Sequence, residues 1–524
     1  MTKYLISRIL RSLISVVIVV AVIMVMIYSM LDKRQIFAAD PVYTKKQLND
    51  KKTYEMQQWE LYGYLDYVNY EEYIAELVKS GKIDSETQKE AKLGKNASYD
   101  KPAAAKYAAE FEEKYRSQGY EIVRLEGKYK DKRNTREQEG GKPQLYAYKE
   151  IPLINRLGSY LKGIFYLDNV HRAEGYTGER GLTFTWKDPA YGGEKFSPAV
   201  MGNGTQHKYL IYCDNQFPYI HQNLLTIRLG TSFSVTKGVD VFESMTMQQG
   251  DQKMTSVIYP SGIVERSCDD IHSLTYASGS RDMNPLYQRQ FLDDYTNTTV
   301  ARTGRSRMGY SFLIGIISVI MAYLLAVPMG IGMALKKDKL LDKLGTIYIV
   351  FITAVPSLAY IFMFRAIGGK LGLPTTFNMI KPTNAMYVLP IVSLALPSVA
   401  NLMKWLRRYM IDQMNADYVK FARSGGLSEG EIFRKHILKN AIIPIAHGVP
   451  GSILGAMTGA IITERVYLVP GVGNVLTEAI NKYDNAVIVG VALFYAVLTV
   501  TSVILGDVLM SMLDPRISFT AKER

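Results

Sequence analysis

Asp417, Tyr418, Arg423, Ser428, Glu431, His436 and Asn440 fall within one polar stretch, residues 417–444, set between two long apolar runs. Their types and spacing suit docking and the transmission of force rather than bond breaking. Val419, Phe421 and Ala422 give the first part a small apolar helix face, and Gly425 or Gly426 supplies the positive φ that ends a helix. Ser428 and Glu431 stand in Ser-x-x-Glu spacing, the capping box that opens a second helix. Residues 426–428 are therefore expected to form a sharp joint between two short helices at a membrane surface. The plainer alternative is an ordinary loop, basic because loops on the inner face of a membrane are basic.

Other chemistry finds little support. No Gly-x-x-x-x-Gly-Lys-Ser/Thr loop is present, so the chain does not bind ATP by that route. His-Glu-x-x-His and Cys-x-x-Cys are also absent, and the six histidines are scattered. The two cysteines, Cys213 and Cys268, have no Cys or His neighbour at zinc-site spacing, which argues against a metal. If their region lies outside the cell they could form a disulfide, and two unpaired thiols are the equal alternative. The formal charge of +13 is what a membrane protein with basic loops accumulates, and no nucleic-acid-binding motif accompanies it.

The elements that position the polar stretch follow from hydropathy. A mean hydropathy of −0.02 over 524 residues averages two unlike parts. Residues 13–31 and 308–513 hold the long apolar runs, whereas 33–307 is rich in Lys, Glu, Gln, Asn and Tyr. Lys3, Arg8 and Arg11 precede the first run, which is longer than the core of a signal peptide and ends on Leu31-Asp32-Lys33-Arg34, no small-residue cleavage site. A retained first helix with a cytoplasmic N-terminus is expected. Five more spans are expected at about 308–335, 344–366, 385–406, 445–465 and 486–512. Lys336, Lys337 and Lys339, and later Lys404, Arg407 and Arg408, mark inner-face turns. Pro328, Pro356, Pro397 and Pro450 mark packing kinks or, alternatively, hinges.

The expected organisation is thus 1–32, the N-terminus and first span; 33–307, an extracellular α+β insertion; 308–513, a five-helix core that includes a cytoplasmic loop at 407–444; and 514–524, a cytoplasmic tail. Within the insertion 43–118 reads as helical, 128–141 as a charged connector, and 182–186, 208–212 and 255–259 as strands. The aromatic stripe from Trp59 to Tyr73 suits a core face, with a ligand platform as the other reading.

Asp-Tyr-Val-x-x-Ala-Arg-x-x-Gly-Leu-Ser, followed by Arg-x-His-x-Leu-x-Asn-Ala-x-x-Pro, resembles the coupling-loop motif of ABC-importer permeases of the oligopeptide and dipeptide type. Flanking matches include Leu394-Ala395-Leu396-Pro397, Pro470-Gly471-Val472-Gly473 and Leu513-Asp514-Pro515-Arg516-Ile517. Inside the insertion, Tyr160-Leu161-Lys162-Gly163-Ile164-Phe165 and Leu229-Gly230-Thr231-Ser232-Phe233-Ser234 are similar to pieces of the family's short external segment. The resemblance implies an α-helical integral membrane protein with the six-transmembrane-helix type I permease fold, carrying an inserted α+β domain. It implies that Asp417, Tyr418, Ala422, Arg423, Gly426 and Leu427 contact a cytoplasmic ATPase, supported by His436, Asn440 and Pro444. The implied partners are a second homologous permease, two cytoplasmic ATPase subunits holding ATP and Mg, an extracellular peptide-binding protein, an oligopeptide substrate and membrane lipid, with no nucleic acid and no cofactor in this chain. The implied location is the plasma membrane of a bacterium. A membrane-anchored receptor is the competing class, but no cytoplasmic output domain is visible. An intramembrane enzyme is disfavoured because the apolar helices hold almost no Asp, Glu or His at bilayer depth.

Overall fold

The computed structural model describes residues 2–30, 33–38, 40–93, 101–130, 137–139, 142–167, 177–187, 194, 196, 198–204, 209–213, 220–222, 225–258, 263–271, 298–300, 302–379 and 383–513. They cluster into two compact units, Met24–Gly163, and Met1–Ile23 with Ile164–Arg524. This division does not follow the expected boundaries at 33 and 307: the second half of the insertion belongs to the same unit as the apolar helices. Leu513 ends the last helix, and the rest of the expected C-terminal motif lies outside the described residues.

The chain begins with helix α1 (Thr2–Met30). In the unit Met24–Gly163, helices α2 (Pro41–Lys45), α3 (Leu48–Leu61), α4 (Tyr70–Lys79), α5 (Ser85–Ala91), α6 (Pro102–Ser117) and α7 (Leu153–Gly163) accompany strands β1 (Leu65–Asn69), β2 (Glu121–Leu125), β3 (Lys128–Lys130), β4 (Glu137–Glu139) and β5 (Gln144–Glu150). The expected helical reading of 43–118 is interrupted by β1. Gly63, at φ +67°, ends α3, and the next residues alternate, with Leu65, Tyr67 and Asn69 inward and Asp66 outward. Asn69 then caps α4, its side chain accepting from the Glu71 amide at 2.9 Å. Proline at the first position of α6 and Gly119 at φ +80° beyond its end bound that helix. The charged connector contains an antiparallel pair, β3 with β4. The sheet runs in the order β1-β5-β2, antiparallel throughout.

The aromatic stripe is core in this structure. Trp59, Tyr64, Tyr67, Tyr70 and Tyr73 are all buried. Phe111 meets Tyr70 and Tyr73 edge-on at centroid distances of 5.7 and 5.3 Å, contacts worth about 0.5–1.5 kcal/mol each beyond burial.

The other unit holds the apolar helices: α9 (Arg307–Leu335), α10 (Leu340–Ala354), α11 (Ser357–Lys370), α12 (Val388–Met414), α13 (Asp417–Ser424), α14 (Glu429–Ile432), α15 (Lys439–His447), α16 (Val449–Tyr467), α17 (Val472–Asn481) and α18 (Asn485–Leu513), preceded by the short α8 (Val241–Thr246). Among the described residues four segments are long and apolar enough to span a bilayer, in α1, α9, residues 384–414 ending in α12, and α18; counting each of two bent pairs as one span raises this to six. The expected single span at 344–366 is instead α10 and α11, bent by 111° at Val355 and Pro356. The residue before a proline is pushed out of the helical region and the proline offers no N–H, so the helix breaks there.

Ala322, Ala326, Gly330 and Ala334 recur every fourth residue on α9 and are all buried. This small-residue stripe admits α12 closely: a β-carbon built on Gly330 would sit 3.2 Å from Leu406. Where α10 begins, Asp342 is 4% exposed and accepts from Arg407 on α12 at both carboxylate oxygens, 2.5 and 2.7 Å.

The remainder of the insertion in this unit is strand-rich, as expected. Gly181–Thr185, Ala199–Asn203, Tyr209–Cys213 and Ile220–Gln222 form one antiparallel sheet. Phe165–Leu167 pairs with Leu225–Ile227, so the two family-like fragments flank a single ladder. Cys268 has its sulfur 3.7 Å from Gln252 Oε1, whereas the side chain of Cys213 lies outside the described residues, and the pairing of the two falls with it.

Candidate functional site

The polar stretch folds as a jointed pair of helices. α13 ends in a Schellman turn: the Leu427 amide donates to Ala422 O at 3.3 Å and the Gly426 amide to Arg423 O at 3.1 Å, with Gly426 at φ +82°. A side chain at Gly426 would meet open space, so the requirement for glycine there is conformational. Ser428 and Glu431 form the reciprocal capping box that starts α14. Across the joint Arg423 grips Glu429 with two hydrogen bonds, 2.5 and 3.0 Å. Beyond α14 the backbone widens into a π-helix over Phe433–Leu438 before α15.

The joint is seated on the membrane body. Val419, Ile432 and Ile437 are buried with Ala334 of α9 and with Leu406 and Met410 of α12. Tyr418 gathers the expected supporting residues: its hydroxyl donates to Gln413 and accepts from Asn440 Nδ2 at 3.1 Å, and its ring faces His436 at 6.3 Å. Pro444 lies within α15 on an exposed position.

The residues expected to meet a partner divide into two groups. Asp417, Arg423, Gly426 and Leu427 are exposed, and Lys420 bonds Asp417 at 2.8 Å, holding that carboxyl below its usual range by hydrogen bond and charge. Ala422 is half-buried and packs on the chain's own cluster. Phe421, counted in one apolar face with Val419 and Ala422, points the other way and is 76% exposed. Residues two apart on a helix are about 200° apart, whereas 419 and 422 share a side, so helical geometry distinguishes Phe421 from its neighbours. An uncovered phenylalanine on a short polar helix, with Asp417 one turn before it on the same side, has the apolar centre and charged edge that suit a docking surface.

Among the described residues no group of His, Cys, Asp and Glu could hold a metal ion.

Residues 326–519 match the family model of the binding-protein-dependent transport system inner membrane component. The oligopeptide transport system permease protein AmiC of Streptococcus pneumoniae is 34% identical, over 100% of this chain and 99% of its own length. The dipeptide transport system permease protein DppB of Lactococcus lactis is 29% identical over 43% of this chain and 73% of its own length. A solved structure described as an amino acid ABC transporter with histidines aligns at 17% identity and a TM-score of 0.32, over 40% of this chain and 92% of that one. The chain belongs to the family of ABC-importer permeases, multi-pass membrane components of transporters rather than enzymes. The alignment with AmiC extends through the long segment between α1 and α9, so that relative has a counterpart of the insertion.

Proposed function

We propose that this permease subunit serves the import of oligopeptides, forming half of a translocation pathway with a second homologous permease. Two cytoplasmic ATPase subunits, which hold ATP and Mg, drive it through α13, and an extracellular binding protein delivers peptide. Phe421 carries the reading: its exposed ring sits on a helix whose angle is fixed by the Gly426 turn and the Arg423–Glu429 grip. The full-length likeness to an oligopeptide permease supports the cargo class. Asp417, Tyr418, Arg423 and Leu427 are the further contacts on the partner, and Ala422 and Gly426 shape the helix, with His436, Asn440 and Pro444 in support. Alternating access then follows from α13 moving with its ATPase while α9 and α12, to which it is packed, tilt with it.

In this reading both termini are cytoplasmic and 33–307 is extracellular, as the basic flank of α1 favours. Topology is tested in a background carrying Cys213→Ser and Cys268→Ser. A cysteine at Asp50 is expected to react with an impermeant thiol reagent in intact cells, and one at Ser428 only after lysis. Labelling at 428 from outside would reverse the orientation. Purification of the native complex is expected to bring an ATPase pair and a second permease with this chain. Recovery with a kinase or regulator in their place would favour the receptor class.

A further inference from the structure

The end of the helical body farthest from α13 is held by two buried carboxylates. Ser311 of α9 and Ala334, which underlies α13, are 23 residues apart on one helix, roughly 35 Å and about the thickness of a bilayer core. At the Ser311 end, Glu464 of α16 is 1% exposed. Its Oε1 accepts from the Ser311 hydroxyl at 2.6 Å and its Oε2 from the Asn474 amide in the first turn of α17 at 3.1 Å. The Val472 amide donates in turn to Ser311 Oγ at 2.9 Å. Glycine allows this approach: a β-carbon on Gly471 would fall 2.2 Å from the Glu464 carboxyl carbon.

The other end of α17 is held in the same manner. Asp484 is fully buried just past the helix, after Tyr483 in a left-handed conformation. Its Oδ2 accepts from the amides of Phe233, Ser234 and Val235 at 2.9–3.1 Å and from the hydroxyls of Ser232 and Ser234 at 2.7 and 3.2 Å. Successive amides turned onto one oxygen form an anion nest, here filled by the chain's own carboxylate. The nest overlaps the end of the family-like fragment 229–234 and runs one residue beyond it. Its start lies against α18 so closely that a β-carbon on Gly490 would be 2.7 Å from Leu229 O.

We propose that Glu464 and Asp484 are positioning residues that join α17 and the 232–235 nest to the ends of α9, α16 and α18 as one stiff piece, and that this piece keeps ATP hydrolysis dependent on the loaded binding protein. A displacement of α13 reaches the far end only if the helix ends there move together. With either carboxylate released, α13 can follow its ATPase while the far mouth stays put, and hydrolysis runs without transport. The inference rests on the importer reading above.

The test uses the assembled complex in liposomes, with ATP hydrolysis measured with and without peptide-loaded binding protein, alongside uptake. Asp484→Asn replaces one of two accepting oxygens by a donor, which must face either the nest or the Val487 amide, and Glu464→Gln likewise leaves one oxygen for the two donors Ser311 and Asn474. Each is expected to raise hydrolysis without binding protein and to lower the stimulation ratio about ten-fold, the scale of losing a buried hydrogen bond, with uptake per ATP falling alongside. A ratio equal to the native one, or a proportionate fall of both rates, overturns the proposal, because mere misfolding lowers both. Should Asp484→Asn fail to assemble, the Ser232→Ala, Ser234→Ala double variant removes two donors, keeps the amides and is judged by the same ratio. A native complex whose hydrolysis ignores binding protein would overturn the importer reading itself, and this inference with it.

Discussion

Complexes carrying Phe421→Arg are expected to insert and assemble at normal levels while losing peptide uptake and stimulated ATP hydrolysis together. Phe421 is exposed in the isolated chain, so replacing it removes no internal packing and the permease keeps its own stability. Under the proposed reading the same position falls at the apolar centre of the contact with the ATPase. Truncating a central aromatic anchor costs about 2 kcal/mol or more, roughly thirty-fold in affinity, and an unpaired desolvated guanidinium adds to that. Ala422→Arg is a poorer probe, because Ala422 packs on the cluster formed with α9 and α12 and its replacement disturbs the permease too. Gly426→Val separates contact from geometry: Phe421 is retained, but the φ of +82° is strained by about 1–3 kcal/mol for a β-branched residue. Native uptake by an assembled Phe421→Arg complex would rule out α13 as the coupling element.

Arg407→Met is expected to be the most destabilising single change in the membrane body. It strands Asp342, whose side chain is 4% exposed and has lost both guanidinium bonds. Removing one member of a buried pair costs about 3–5 kcal/mol. The lower end applies, since Arg407 retains 28% exposure. The Asp338 amide, which also donates to Asp342, offsets only part of the loss. Thermal unfolding of the purified chain in detergent measures it. Combining Arg407→Met with Asp342→Leu is expected to recover much of the midpoint, because the stranded charge is then gone. If the double variant unfolds no later than the single one, the pair is not what holds α10 to α12.

Much of this architecture is written locally and is therefore legible in the sequence. Helix α9 begins within one residue of its expected start because Ser306, whose hydroxyl accepts from Gly309, is a cap. The Gly426 turn and the Ser428–Glu431 box are equally local, and both occur as read. What is missed depends on distant partners or on competing elements. Asp484 and Ser232 are 252 residues apart, and no periodicity links them. Asp342 and Arg407 are 65 residues apart, and Arg407 alone reads merely as an inner-face charge. The break at Pro356 has a local cause, but hydropathy is blind to direction and counts both arms as one run. The reading of 43–118 as helical fails in part for the same reason, since the run of apolar residues continues past Gly63 into the strand β1.

The ion pair between Arg8 of α1 and Asp507 of α18, 3.0 Å apart, also orders events in time. A ribosome adding about 5–20 residues per second takes roughly half a minute to a minute and a half to cover the intervening chain. Throughout that interval α1 is in the bilayer without its counter-ion. Its side chains over 6–28 mostly face away from the rest of the chain, so lipid can solvate them meanwhile. The arginine near its start can reach the headgroups. Helix α1 is thus made early but locked only after α18 has followed, when the Arg8–Asp507 pair closes.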